Sequence, residues 1–360
     1  FAFPRTGLAN VLMSKPRQAI SLSHAKRPFF VGIDLGGTNI KVGVVDDCGR
    51  TLAFLSIPTL VERGAEDGAR RMGEAARQVI AAAGLTLADV LRVGLGTPGT
   101  MDLVSGMLLE PVNLPNWRNF PIRDRVAHHA GLPVTYANDA GAAAYGEFWI
   151  GSGRELHSMI VFTLGTGIGC GIVVGELSID GEHGHGAECG HIIIDSRDDA
   201  RLCGCGQRGH LEAYASATAV VKRTHEALAA GRPSSLTGLM AKGEELTPLV
   251  IGEQAESNDA LALEIVLETA RYLGIGVVTV MHTIDPNGVV LGGAMTFGGA
   301  DRPLGRRFLQ RVREEVRCRA LPIPAQKTSI EFAELGGDAG YIGAAGLARL
   351  EFRRLNGIVG

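Results

Sequence analysis

Phe29-Phe-Val-Gly-Ile-Asp-Leu-Gly-Gly-Thr-Asn-Ile-Lys-Val-Gly-Val-Val-Asp46 decides how the rest of the chain is read. A run of aromatic and β-branched residues breaks at Gly36-Gly37 and resumes as a second apolar run, the pattern of strand, glycine turn, strand. Met159-Ile-Val-Phe-Thr-Leu-Gly-Thr-Gly-Ile-Gly-Cys-Gly-Ile-Val-Val174 repeats it, with Leu164, Gly165, Val173 and Val174 in the places of Leu35, Gly36, Val44 and Val45. Turns of glycine and small residues let backbone N–H groups converge on an anion. One such turn is as well explained as a plain hairpin, whereas two related ones suggest two related lobes that both meet phosphate. Neither matches Gly-x-x-x-x-Gly-Lys-Ser/Thr, so that class of nucleotide loop is excluded.

Outward from these hairpins, helical spacing from about Gly68 to Ala83 precedes strands at Val93-Gly-Leu-Gly and Pro133-Val-Thr-Tyr. The second half places helices over Leu261–Met281 and Leu304–Cys318, a strand at Val289-Val-Leu-Gly-Gly-Ala, and a last helix after Gly336-Gly337 through Leu350. Strands alternating with helices argue an α/β class. At 360 residues the chain exceeds one ordinary core, and two domains or lobes are expected.

Composition narrows the partners. With 46% hydrophobic residues, 20% charged residues and a net charge of −3, no nucleic acid or other polyanion is expected. The 50 glycines cluster inside apolar runs and so point to tight turns and close backbone approach. Cysteines 48, 170, 189, 203, 205 and 318 lack a disulfide framework's spacing, which fits a reducing cytoplasm. The apolar stretch from Tyr272 to Val280 runs into His282, Asp285 and Pro286, too short for a membrane span. Residues 1–28 are basic with no acidic residue; they read as a disordered extension, native presequence or otherwise, and are set aside.

The two turns, Asp34-Leu-Gly-Gly-Thr-Asn-Ile-Lys41 and Leu164-Gly-Thr-Gly-Ile-Gly-Cys-Gly171, resemble the phosphate motifs of the ROK family of repressors, open reading frames and sugar kinases. Gly186-Ala-Glu-Cys-Gly-His191 is similar to its Glu-x-Gly-His element, Cys203-Gly-Cys-Gly-Gln-Arg-Gly-His-Leu-Glu212 to its cysteine-rich element, and Leu291-Gly-Gly-Ala294 to its adenosine motif. The resemblance spans residues 29–350 with its motifs in order. It implies an actin-like ATPase (ribonuclease H-like) fold with two lobes and a central cleft: a small lobe of 29–138 plus about 336–350, and a large lobe of 139–335. It also implies a homodimer and phosphorylation of a hexose at its 6-hydroxyl by ATP with Mg²⁺.

Residue by residue, Asp139 is the expected general base. The competing reading of Asn138-Asp139, which follow a strand and open a helix, is that one of them caps it. The resemblance places Asn113, Asn138, Asp139, Glu188, His191 and Glu212 around the sugar, and Pro111-Val-Asn-Leu-Pro-Asn-Trp-Arg118 is similar to the family's glucokinases in particular. Phosphate and nucleotide fall to Asp34, Gly36, Gly37, Thr38, Asn39, Lys41, Gly165, Thr166, Gly167, Gly292, Gly293 and Ala294. Asp34 is expected near the transferring phosphate through Mg²⁺ and water; Lys41 points either at phosphate or into solvent.

His191, Cys203, Cys205 and His210 supply two imidazoles and two thiolates, a full tetrahedral set for structural Zn²⁺, against a redox pair or a bare glycine-rich loop. The family commonly has cysteine where His210 stands. The runner-up substrates are N-acetylmannosamine and N-acetylglucosamine, with mannose, fructose and allose also open, and polyphosphate is an alternative donor. A sugar-responsive repressor needs a helix-turn-helix module, for which the residues before the first strand show no paired helices.

Overall fold

The computed structural model describes residues 19–111 and 113–358. It divides into two compact units. The first comprises the described residues up to Ile150, Asp180–Gly186, and those from Gly337 onward; the second comprises Gly151–Ile179 and Ala187–Gly336.

In the first unit β1 (Phe29–Leu35), β2 (Asn39–Val45) and β3 (Thr51–Pro58) form an antiparallel meander, followed by α1 (Ala65–Ala82). β4 (Val90–Thr97), the small β5 (Thr100–Asp102) and β6 (Met107–Glu110) hairpin, α2 (Ile122–Ala130), β7 (Val134–Asn138) and α3 (Asp139–Trp149) complete its contiguous part. The sheet order is β3-β2-β1-β4-β7, with β4 and β7 parallel to β1.

The second unit repeats that plan. β8 (Ser158–Leu164), β9 (Ile168–Val174) and the short β10 (Leu177–Ser178) are antiparallel neighbours, then α4 (Glu212–Ala215), α5 (Ala217–Ala229), α6 (Leu236–Ala241), α7 (Pro248–Glu256) and α8 (Ala260–Ile284) intervene. β11 (Gly288–Gly292), α9 (Pro303–Arg319), α10 (Pro322–Lys327) and β12 (Ser329–Phe332) follow, giving the order β10-β9-β8-β11-β12 with β11 and β12 parallel to β8. α11 (Ala339–Leu355) then returns to the first unit.

The same pairing scheme twice, a hairpin extended by parallel strands, is what the repeated glycine turns predicted. β1 carries no polar alternation because both its faces are covered; Phe29, Phe30, Val31, Ile33 and Leu35 are all buried. α11 lies so close on one face that a Cβ at Gly32 would stand 1.7 Å from the Tyr341 carbonyl oxygen, and one at Gly94 1.8 Å from that of Ala344. In the second unit α8 is the central helix, capped by Asp259, whose Oδ1 accepts the Ala262 N–H at 2.9 Å. No helix of the described residues is long and apolar enough to cross a membrane.

The expected boundaries differ in three places. The first unit extends past Asn138 through α3 to Ile150, because a Cβ at Gly343 of α11 would meet the Ala142 carbonyl oxygen at 1.6 Å and α3 therefore packs inseparably on α11. Asp180–Gly186 joins the first unit against the β5–β6 hairpin, where a Cβ at Gly184 would lie 2.9 Å from the Met101 carbonyl oxygen. The expected disordered extension 1–28 is overturned over residues 19–28: Ile20 donates its N–H to Thr51 O at 2.9 Å, Lys26 to Asp46 Oδ2 at 3.0 Å, and Ile20 packs on the core. Residues 1–18 lie outside the described residues.

Candidate functional site

In the first unit the candidate residues collect at the C-terminal ends of the parallel strands β1, β4 and β7, the edge at which open α/β sheets bind ligands. Asp34 pairs across from Lys41 on β2 and Gly96 on β4, and Thr97 pairs with Asn138. Gly36 donates its N–H to Asn39 O at 3.0 Å to close the turn, leaving Gly37, Thr38 and Asn39 exposed. Asn113 stands beside it, its Cβ 3.4 Å from where a Gly37 Cβ would be.

The competition between cap and ligand at Asn138-Asp139 is divided. Asn138 Oδ1 accepts the N–H groups of Ala140 at 2.9 Å and Gly141 at 3.2 Å, so Asn138 is the N-cap and its amide nitrogen is the end it can offer a hydroxyl. Asp139 Oδ1 accepts the Ala140 N–H at 2.8 Å, which fixes its rotamer at the head of α3. Asp34 lies close enough to Asp139 to sense its charge. Burial first, and repulsion by Asp139 second, raise the Asp34 carboxyl to about 6, while Lys41 pulls it down. A carboxylate pair strained by like charge is a fitting place for a cation to sit, which agrees with Mg²⁺ carried by a nucleotide.

In the second unit the turn Gly165–Gly167 is held from three sides. Ala217 donates its N–H to Gly165 O at 2.9 Å, Thr218 Oγ1 to Thr166 O at 2.8 Å, and Ile168 N–H to Glu212 Oε2 at 2.9 Å. A Cβ at Gly167 would fall 2.3 Å from that same Glu212 oxygen, so any other residue there would displace the carboxylate. Gly292–Ala294 leaves β11 next to this turn: Met295 donates its N–H to Leu164 O at 3.0 Å, and Gly293, at φ +91°, has no room for a side chain against Leu164.

Glu188, His191 and Glu212 share the second unit with the cysteine loop. His191 Nε2 lies 3.9 Å from Glu188 Oε2, while its Nδ1 faces His210 Nδ1 at 3.3 Å and Cys203 Sγ at 3.9 Å. Cys205 Sγ is 3.2 Å from His210 Nδ1. The four donor atoms of His191, Cys203, Cys205 and His210 all lie within 4.8 Å of one another. A tetrahedral ion with ordinary Zn–N and Zn–S bonds needs N···N near about 3.3 Å and N···S near about 3.6 Å. The donor set therefore fits zinc. Burial, then the neighbouring His191, lowers the His210 pKa, favouring the neutral imidazole that ligates. Burial pushes the Cys203 thiol up to about 11, the direction a bound cation reverses. All four positions would be filled by protein, a structural rather than a reactive site.

Lys41 Nζ donates to the carbonyl oxygen of Gly337, in the turn that leads into α11. Two further residues escaped the sequence reading. Thr59, fully buried, donates its N–H to Thr38 O at 2.8 Å and its Oγ1 to Gly36 O at 2.7 Å, bracing the first glycine turn from behind. Gly340, in Gly336-Gly-Asp-Ala-Gly340, faces Asp34. Its signal was a glycine cluster opening an apolar helix, which read only as a helix start.

A family model described as the ROK family matches residues 30–351. A glucokinase of Halalkalibacterium halodurans is 32% identical over 321 residues, 89% of this chain and 95% of the relative. The crystal structure of a ROK family glucokinase from Streptomyces griseus in complex with glucose and AMPPNP is 33% identical, with a TM-score of 0.72 over 89% of this chain and 99% of that one. An N-acetylmannosamine kinase of Haemophilus influenzae is 28% identical over 66% of this chain and 70% of its own. With the two sheets, these likenesses establish the actin-like ATPase fold.

Proposed function

Because the chain belongs to the ROK family, we propose that it is an ATP-dependent hexose kinase whose substrate is glucose, phosphorylated at the 6-hydroxyl. The observation that carries this reading is the juxtaposition of Asp34, at the end of β1, and Asp139, which opens α3 just past the end of β7 with β4 between the two strands, beside the exposed turn Gly37–Asn39. One carboxylate near a phosphate turn serves the phosphates, and a second, held at a helix start, serves the incoming hydroxyl.

In the proposed reaction the sugar's 6-oxygen attacks the γ-phosphorus, its proton passes to a carboxylate oxygen of Asp139, and the bond to the β-phosphate oxygen breaks to release ADP. Asn113, Asn138, Glu188, His191 and Glu212 are the proposed contacts to the sugar's other hydroxyls. The N–H groups of Gly37–Asn39, and those of Thr166 and Gly167, take phosphate oxygens, and Gly292–Ala294 takes the adenosine. Asp34 would hold the nucleotide's magnesium through water, an ion that spreads the charge of the transferring oxygens when bound. Zinc on His191 Nδ1, Cys203, Cys205 and His210 would fix the His191 ring so that Nε2 meets the sugar. A homodimer in a reducing cytoplasm completes the proposal; the six cysteines are free thiols.

Glucose is preferred because curated relatives at 32% and 33% identity over 89% of the chain are named glucokinase. The Haemophilus relative makes N-acetylmannosamine the second reading. ATP-dependent ADP release against glucose, mannose, fructose, N-acetylmannosamine, N-acetylglucosamine and no sugar separates them. Highest turnover per unit concentration with glucose supports the proposal, an N-acetylated winner changes the substrate alone, and no stimulation by any sugar overturns the kinase reading.

A further inference from the structure

The first turn of α11 plays no part in the reaction as written, yet it lies against Asp34. A Cβ at Gly340 would stand 2.5 Å from Asp34 Oδ2 and 3.0 Å from Oδ1, so the carboxylate fills the space that any other residue's first side-chain atom would need. Withdrawing the helix to make that room would open its close backbone packing. Its backbone already touches the sheet at Gly32 and Gly94 and touches α3 at Gly343, where a Cβ would lie under 2 Å from a carbonyl oxygen in each case. Asp34 would be the group to move. On its other side Lys41, its cross-strand partner, donates Nζ to Gly337 O three residues ahead of Gly340, and a Cβ at Gly337 would meet that Nζ at 2.9 Å. The turn entering α11 is thereby tied to β2 by the same lysine whose charge acts on Asp34.

We propose that Gly340 is a positioning residue for phosphoryl transfer: the volume left by its missing Cβ seats the Asp34 carboxylate, and Lys41, bonded to the Gly337 carbonyl, holds the turn of α11 in place to provide it. The inference rests on the hexose-kinase reading of this site. A carboxylate displaced by a fraction of an ångström no longer meets the phosphate-bound ion in the right place, and misplacements of that size weigh on turnover far more than on ground-state sugar binding. Loss of helix does not explain the expected effect, because alanine is the better helix former.

The test uses full-length Gly340→Ala and Lys41→Gln. For Gly340→Ala, kcat is expected to fall by about tenfold to a hundredfold, while hexose affinity by calorimetry without nucleotide stays within about twofold of wild type. In a crystal structure of Gly340→Ala the Asp34 carboxylate is expected to be displaced from its wild-type position. Lys41→Gln is expected to lower kcat in the same pattern by a smaller factor, and it decides the question should Gly340→Ala not fold. Wild-type kcat in Gly340→Ala, equal loss of kcat and hexose affinity, or an Asp34 carboxylate left in its wild-type position overturns the proposal. Should no hexose be phosphorylated by wild type, the kinase reading fails, and the position of the Asp34 carboxylate in Gly340→Ala crystals still decides whether Gly340 seats it.

Discussion

Glu212 Oε2 accepts the amide N–H of Ile168 at 2.9 Å, and Oε1 of the same carboxylate lies 3.7 Å from Cys203 Sγ. One side chain thus joins the first residue after the Gly165–Gly167 turn to the cysteine loop. Glu212→Ala is expected to raise KM for both hexose and ATP, since it removes a proposed sugar contact and leaves the Ile168 N–H without its acceptor. Glu212→Gln keeps an oxygen for that N–H and should spare the ATP term. Steady-state kinetics with each substrate varied checks this; an unchanged KM for ATP in Glu212→Ala would refute the bracing role.

Asp139→Asn preserves the acceptor for the Ala140 N–H and the helix start while removing the base. Turnover is expected to fall by about a thousandfold, within the usual range for a general base, with glucose affinity retained in calorimetry. Turnover within about tenfold of wild type would remove Asp139 from that role.

Asp34 gives stability a pH dependence of definite sign. Its folded pKa of about 6 lies above the ordinary 3.8, so the fold favours the protonated form. That contribution is complete below about pH 4 and is lost as pH rises through 6. Asp34→Asn is therefore expected to be more stable than wild type at pH 7.5, by on the order of 3 kcal/mol, with the difference vanishing near pH 4. Urea unfolding at both pH values, without metal or nucleotide, measures it. A stability difference that is the same at both pH values contradicts the raised pKa.

Zinc content and sugar binding should move together. The purified protein is expected to hold about one zinc per chain. Chelation, or Cys205→Ser, should lower the melting temperature and weaken glucose binding, because His191 loses the ligand that fixes its ring. Metal-free protein that remains folded with wild-type glucose affinity would break the link between the metal and His191.

Thr59→Val removes the hydroxyl bonded to Gly36 O inside a fully buried position. Stability should drop by about 1 kcal/mol, and KM for ATP should rise with KM for glucose unchanged. Thermal unfolding and kinetics together distinguish a brace of the phosphate turn from a packing residue, which would leave both KM values alone.

Much of this protein was legible in the chain itself. Residues 29–46 and 159–174 announced two hairpins through period and glycine placement, and the helices at 260–284 and 303–319 followed from apolar spacing, because such signals arise from neighbours in sequence. The cluster of His191, Cys203, Cys205 and His210 was legible for the same reason: three of the four fall within eight residues of one another. Three-dimensional structure alone decided the rest. That Asn138 rather than Asp139 caps α3 depends on which oxygen turns toward Ala140 and Gly141. That Lys41 spends its charge on the Gly337 carbonyl, 296 residues away, and that Gly340 makes room for Asp34, depend on α11 returning to the first sheet. Local sequence fixes which segments become strands, helices and turns; which side chains share a few cubic ångströms is set by packing between segments hundreds of residues apart, and the motifs at either end carry no record of it.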